Sequence, residues 1–199
     1  SGAATVPVVP TLARLVPAGI TPITPAGYRN PGELPPGGVL VVGASASGVQ
    51  LADELHRSGR PVTLAIGEHV RMPRTYRGRD ILWWLDRIGS FDRVPNADAR
   101  RAEPSLQLVA TADARGVDLG VLRAAGVRLA GRLRALDGTI AGFADDLADT
   151  MDAAHRRLTR LLGEIDRDAA AAPGPVPDPP PVLAVPATPP RIDLRRVGI

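Results

Sequence analysis

A four-residue apolar run, Val39-Leu40-Val41-Val42, passes directly into Gly43-Ala44-Ser45-Ala46-Ser47-Gly48 and then into a helix-forming stretch. That order leaves the chain few options. A run that is apolar at every position reads as a strand buried on both faces, which is the habit of parallel sheets. Residues 47–58 read as the crossover helix, with Val49, Ala52 and Leu55 on its inner face and Gly59 as its stop. Residues 61–66 supply a second apolar strand. The expected unit is βαβ, and the expected class is α/β: a Rossmann-type parallel sheet with flanking helices.

The turn between strand and helix carries the chemistry. Gly43 can bend the chain sharply. The small side chains of Ala44, Ser45, Ala46 and Ser47 let main chain approach a pyrophosphate, and Gly48 lets the helix pack close to the strand. The helix N-terminus offers free N–H groups and the positive end of a dipole to phosphates. The string departs from G-x-G-x-x-G at its middle glycine, which is Ser45. The hydrolase pattern G-x-S-x-G, laid from Gly43, fails at Ser47, where it needs its last glycine.

The residues just past the second strand bear on which dinucleotide is bound. NAD-selective folds place an acid there to bond the ribose hydroxyls, and Glu68 stands just beyond that point. His69, Arg71 and Arg74 come next, and a guanidinium gives forked, charge-assisted bonds to a 2′-phosphate. The expectation is NADP(H), with Glu68 as the residue that argues for NAD. Cofactor-binding candidates are therefore Gly43, Ala44, Ser45, Ala46, Ser47, Gly48, His69, Arg71 and Arg74. No catalytic residue is assigned.

The rest of the chain divides around this unit. Residues 1–37 carry eight prolines and read as an inter-domain arm of extended segments and turns. Residues 38–169 read as the dinucleotide-binding domain. Residues 68–79 read as a basic loop, and residues 80–88 as a helix capped by Asp80. Trp83 and Trp84 diverge by about 100° on it, so one is expected in the core. Residues 90–116 read as irregular, 118–125 as a short helix closed by Gly126, and 127–136 as one alternating strand. Asp137-Gly138 signals a hairpin returning through 139–142. Phe143, Leu147, Met151, Ala154, Leu158, Leu161 and Ile165 form the stripe of a long amphipathic helix. That stripe is expected to dock on its own domain; a dimer seam or a partner domain is the other use. Residues 170–199 read as a Pro-rich linker and the start of a further element.

Composition removes several function classes. There is no lysine, all 24 basic residues are arginine, and the net charge is only +3. The arginines are interspersed with acids and aromatics are scarce, which argues against nucleic acid as partner. No cysteine is present, so disulfides and thiolate metal sites are excluded, in keeping with a cytoplasmic protein. No stretch has the length of a membrane span. His56, His69 and His155 show no metal-ligand spacing and read as surface residues; no metal is expected.

Residues 38–89 resemble the NADPH-binding domain of flavin-containing monooxygenases and related bacterial flavoproteins. The resemblance is carried by GGVLVVGASASGVQLADELHRSGRPVTL followed by EHVRMPRTYRGRDILWWLDRIG. Ser1-Gly2 with Pro7 and Pro10 is similar to the end of that family's ATG-x-x-x-x-P-x-x-P segment. Tyr28-Arg29 is similar to the close of its F-x-G-x-x-x-H-S-x-x-Y-R fingerprint. Ala18, Ile20, Thr24 and Pro25 stand where that fingerprint has Phe, Gly, His and Ser, which puts N- or S-oxygenation in doubt. The resemblance implies an enzyme in which NADPH reduces FAD and the reduced flavin activates oxygen. It also implies that the FAD-binding segments lie outside this chain, which begins at Ser1 and not Met, so that these residues alone hold no FAD and turn over nothing. The competing reading is a non-catalytic dinucleotide-binding or partner-binding module.

Overall fold

The computed structural model describes residues 9–92, 104–109, 116–168, 177, 181–185 and 188–199. Strand β1 (Val39–Val42) leads into helix α1 (Ala46–Arg57) and strand β2 (Val62–Ala65). Short strands β3 (His69–Arg71), β4 (Thr75–Tyr76) and β5 (Arg79–Asp80) precede helix α2 (Ile81–Arg87). Strand β6 (Ser105–Gln107), helix α3 (Leu119–Ala125) and strand β7 (Arg128–Ala130) come next. Strands β8 (Leu133–Asp137) and β9 (Ile140–Phe143) form a hairpin, helix α4 spans Leu147–Asp168, and strand β10 covers Arg191–Asp193.

The parallel sheet has the order β1-β2-β7, with Val41 opposite Leu64 and Leu64 opposite Leu129. Side chains alternate between its faces, as the two-residue strand period requires. Val41, Val62, Leu64 and Leu129 point into a cluster with Val49, Ala52 and Leu55 of α1, Leu119 and Leu122 of α3, and Leu147 and Met151 of α4. Leu40, Ala65 and Ala130 point the other way, onto Phe143, Ala141, Ile192 and Leu194 of the antiparallel sheet β10-β9-β8. The result is three layers: helices, parallel sheet, antiparallel sheet. Fully burying each large aliphatic side chain contributes about 1.5–3 kcal/mol. The run at 39–42 reads as buried on both faces, but β1 is an edge strand of this sheet: Val41 is buried, Val39 and Leu40 are half-buried, and Val42 is 56% exposed. The strand enclosed at every position is β2.

Helix α4 buries Leu147, Thr150, Met151, Ala154, Leu158, Leu162 and Ile165. Its first half lies on the main core. Its second half meets Tyr76, Ile81 and Trp84 from the β4–β5 hairpin and α2. The stripe is thus taken up within its own chain. Trp84 is buried and its indole N–H donates to the Tyr76 carbonyl, whereas Trp83 is 40% exposed with the Arg79 guanidinium 4.4 Å from its ring centre.

Several expectations change. Residues 127–136 are not one strand: β7 joins the parallel sheet and β8 the antiparallel one. The break falls at Gly131, where a side chain would overlap the Ala144 carbonyl, and Arg132 N–H donates to Asp146 Oδ1 at 3.1 Å. Phe143 belongs to β9 and not to the helical stripe, and Leu162 takes a buried place that the spacing gave to the partly buried Leu161. Residues 68–79 are no loop: β3 pairs in parallel with β6, and β4 pairs with β5. The region 90–116 therefore contains a strand, although 93–103 and 110–115 lie outside the described residues. Much of 170–190 lies outside them too, and β10 extends the hairpin sheet by pairing with β9.

The proline-rich arm is fastened by one side chain. The Arg60 guanidinium donates to the carbonyls of Pro31, Leu34, Pro35 and Gly37 at 2.6–3.0 Å. Proline leaves carbonyls without a matching donor in the same segment, and a planar five-donor group satisfies four of them at once.

Candidate functional site

The glycine turn lies at the carboxyl end of the parallel sheet. Gly43 has φ +103°, a left-handed conformation that side chains disfavour, and a Cβ placed there would meet no atom within 4 Å. The space before the turn is open. Gly48 is the reverse case: its Cβ would overlap the carbonyl oxygen of Gly43, so glycine alone allows α1 to start this close to β1. Ser45 is the N-cap, yet its side chain makes no capping bond to the helix. Ala44 and Gly48 are buried, Ser45 and Ala46 half-buried, and Ser47 exposed. Glycines stand just past the ends of all three parallel strands: Gly43 after β1, Gly67 after β2 and Gly131 after β7. Of the three, Gly43 has open space before it, whereas Gly67 lies under the Arg132 side chain and Gly131 packs on the Ala144 carbonyl; this carboxyl end of the strands is where open α/β sheets bind ligands.

The candidate residues beyond β2 are distributed differently from one another. His69 is 1% exposed, and its Nδ1 lies 3.0 Å from the Gly67 carbonyl oxygen. Burial holds its pKa below the usual imidazole value, with Arg157 and Arg71 adding to that effect. It is not a surface residue; the backbone carbonyl replaces water as its partner. Arg71 is paired with Asp118 at 2.7 Å and also donates to the Pro181 carbonyl. Arg74 is paired with Asp80 at 2.5 Å. Both guanidiniums thus have carboxylate partners on their own chain. Glu68 is exposed and lies between Arg132 at 3.8 Å and Arg157 at 3.9 Å. Those two arginines, one before β8 and one on α4, flank the end of β2. Sequence reasoning missed them, because only the fold brings positions 68, 132 and 157 together.

Gln107 was missed as well. It ends β6, is 3% exposed, and its Nε2 donates to the Ala44 carbonyl at 2.7 Å. That bond ties the second short sheet to the glycine turn. Its Oε1 is buried without a partner. The side chain borders a small cavity of about 10 Å³, room for roughly one water, that is also lined by His69, Arg71, Met151, His155 and Leu183. His155 is half-buried on α4, and its Nδ1 is likewise enclosed without a partner. The polar side of an amphipathic helix suggested a surface histidine; the 181–185 segment and β6 close over part of it instead. Among the described residues no cluster of three His, Cys, Asp or Glu could hold a metal ion. No helix among them is long and apolar enough to cross a membrane.

The chain is 36% identical over 84 residues to an uncharacterised CzcO-like oxidoreductase of Geobacillus kaustophilus (strain HTA426). It is 34% identical over 83 residues to an uncharacterised oxidoreductase CzcO of Bacillus velezensis, and 31% identical over 83 residues to the one of Bacillus subtilis (strain 168). Each match covers 42% of this chain and 24% of the relative, so the shared part spans about a quarter of the length of these proteins. No family model matches the chain. No solved structure matches it.

Proposed function

We propose that this chain is the NADP(H)-binding portion of a flavin-dependent oxidoreductase. The observation that carries the reading is the Gly43–Gly48 turn: an open, left-handed glycine at the carboxyl end of a parallel strand, facing the start of a twelve-residue helix. The partial similarity to proteins named oxidoreductase supports the reaction class. The pyrophosphate would rest on the main chain of Gly43 to Ser47 and the N-terminus of α1. When bound, the nicotinamide supplies a hydride to a flavin held outside these residues; the chemistry is the cofactors' own. This chain's part is to bind and orient.

NADP is favoured over NAD by the arginines after β2. Arg132 and Arg157 stand beside Glu68 at the ribose end of the site, and Arg71 and Arg74 come shortly after in sequence. A 2′-phosphate arriving there would exchange a carboxylate partner for a dianion at the two flanking guanidiniums. Calorimetric titration with NADPH and NADH tests the reading. NADPH should bind more tightly, and Gly43→Val should abolish both, since its side chain would occupy the approach of the pyrophosphate. Replacing Arg132 and Arg157 by Ala should weaken NADPH more than NADH, by about 1–3 kcal/mol, whereas Arg71 and Arg74, already paired with Asp118 and Asp80, should matter less. Unchanged affinity in Gly43→Val would remove the turn from the site. Equal losses for both dinucleotides would remove Arg132 and Arg157 from the 2′-phosphate.

A further inference from the structure

Helix α4 buries one side in its own chain, and the opposite side is patterned. At about 100° per residue, Asp149, Asp152, Arg156, Arg160, Gly163 and Arg167 fall within a stripe about 80° wide, opposite the face that carries Ala154 and Leu158 into the core. The charged members of the stripe are all exposed. They are acidic in the first half of the helix and basic in the second. The helix dipole accounts for only part of that order, because its effect is confined to the first and last turn. Asp152, Arg156 and Arg160 lie inside both ends. Among the described residues these charges make no ion pair, with one another or with anything else, although Arg157, Asp166 and Asp168 of the same helix are each paired. Asp149 instead neighbours Asp152, and Arg156 neighbours Arg160, a like-charge spacing that weakens a helix standing alone. Gly163 points the same way independently. Glycine inside a helix weakens it, yet a Cβ at 163 would meet no atom within 4 Å, so packing within this chain does not require it. The close approach of another backbone would.

We propose that the outer face of α4 is a docking surface for a second copy of this chain, with the two helices antiparallel about a two-fold axis. The charges select both the partner and the register. An isologous contact sets residue i against j and j against i. With the axis at the level between Asp152 and Arg156, Asp152 of each copy meets Arg156 of the other and Asp149 meets Arg160, every pair occurring twice. Gly163 then falls opposite the turn by which the other copy enters α4, where a backbone needs room. A parallel pairing would set acid against acid and arginine against arginine. A slip of one helical turn in either direction would bring Arg156 against its own copy, or Asp152 against its own. Exposed ion pairs are individually weak and screened by salt, while the arginine stems add apolar contact. The dimer is accordingly weak and salt-sensitive.

Sedimentation equilibrium of the 199-residue chain tests the proposal. At about 100 μM protein and low salt a dimer should be present, and raising the salt from about 0.05 to 0.5 M should weaken association about tenfold or more. Asp149→Arg with Asp152→Arg makes the stripe basic throughout, and Arg156→Glu with Arg160→Glu makes it acidic as far as Gly163. Each double variant alone, folded by circular dichroism, should stay monomeric. Mixed in equal amounts, the two should form a heterodimer, a recovery that a damaged fold cannot give. Gly163→Leu should raise the melting temperature measured at high salt and still weaken association. A parent chain that is monomeric at low salt overturns the proposal. So does a dimer that resists salt, that either double variant keeps, that Gly163→Leu leaves unchanged, or that the mixed variants fail to rebuild.

Discussion

The α-carbon of Gly48 sits so close to the carbonyl of Gly43 that no side chain fits between them, while the space in front of Gly43 itself is empty. The two glycines are required for different reasons, and substitution separates them. Gly48→Ala should cost about 1–3 kcal/mol through overpacking against backbone that cannot yield. Gly43→Ala meets no atom and should cost only the left-handed conformation, about 1–2 kcal/mol. Urea unfolding of the two variants checks the order; a smaller loss at Gly48 than at Gly43 would contradict it.

Arg60 should matter more than its place in a turn suggests. Arg60→Ala removes donors from four carbonyls of the arm and should destabilise by about 1–3 kcal/mol. Limited proteolysis should then cleave within 31–37 before the rest of the chain. Arg60→Lys should recover only part of the loss, since an ammonium has no planar fork.

His69 gives the fold a pH dependence. Its folded pKa lies below the ordinary 6.5, so between those two values the unfolded chain binds more protons than the folded one. Stability from this group is complete above about 6.5 and falls as pH drops below it. His69→Gln can still donate to the Gly67 carbonyl without titrating. Thermal melts from pH 7.5 to 5 should show a shallower decline in the variant than in the parent chain.

Asp166 joins two groups at the far end of α4. It accepts from the Tyr76 hydroxyl at 3.0 Å and from Arg77 Nε at 2.7 Å. Arg77 holds φ +46°, a conformation usually left to glycine, so its ion pair helps keep an unfavourable backbone in place. Burial, then Asp166, raises the Tyr76 pKa. Asp166→Ala should lower the melting temperature by a few degrees and loosen the hairpin. Trp84 emission should shift to the red, because its N–H is bonded to the Tyr76 carbonyl. Asp166→Asn should be milder, since its amide oxygen still accepts from the tyrosine.

The strand–turn–helix unit could be read in advance because its signals are local. An unbroken apolar run, a glycine and an amphipathic dozen lie next to each other, and Val39–Val42 pair in parallel with Val62–Ala65 as that reading requires. Asp80 was legible as a cap for the same reason; it bonds Leu82 N–H. Asp118, read as the first residue of its helix, is instead the cap and bonds Val121 N–H. What escaped depends on distant contacts. Nothing near Gly131 announces that Ala144 and Asp146 will press on it, so one strand was read where the chain changes sheets. Strand β6 has three residues and no periodicity to show, and its partner β3 lies 36 positions earlier by the Ser105–His69 pairing. Gln107, Arg132 and Arg157 were invisible as site residues because each gains its meaning from a neighbour that the fold delivers.

The amide of Gly38 donates to the carbonyl of Gly198, while β10 is stitched into the hairpin sheet just before it. The path into β1 and the path out of the last strand therefore touch. A short peptide bridging those two points would tie residues 38 and 198 together without distorting either sheet, the condition under which a chain can be rejoined end to end and opened elsewhere.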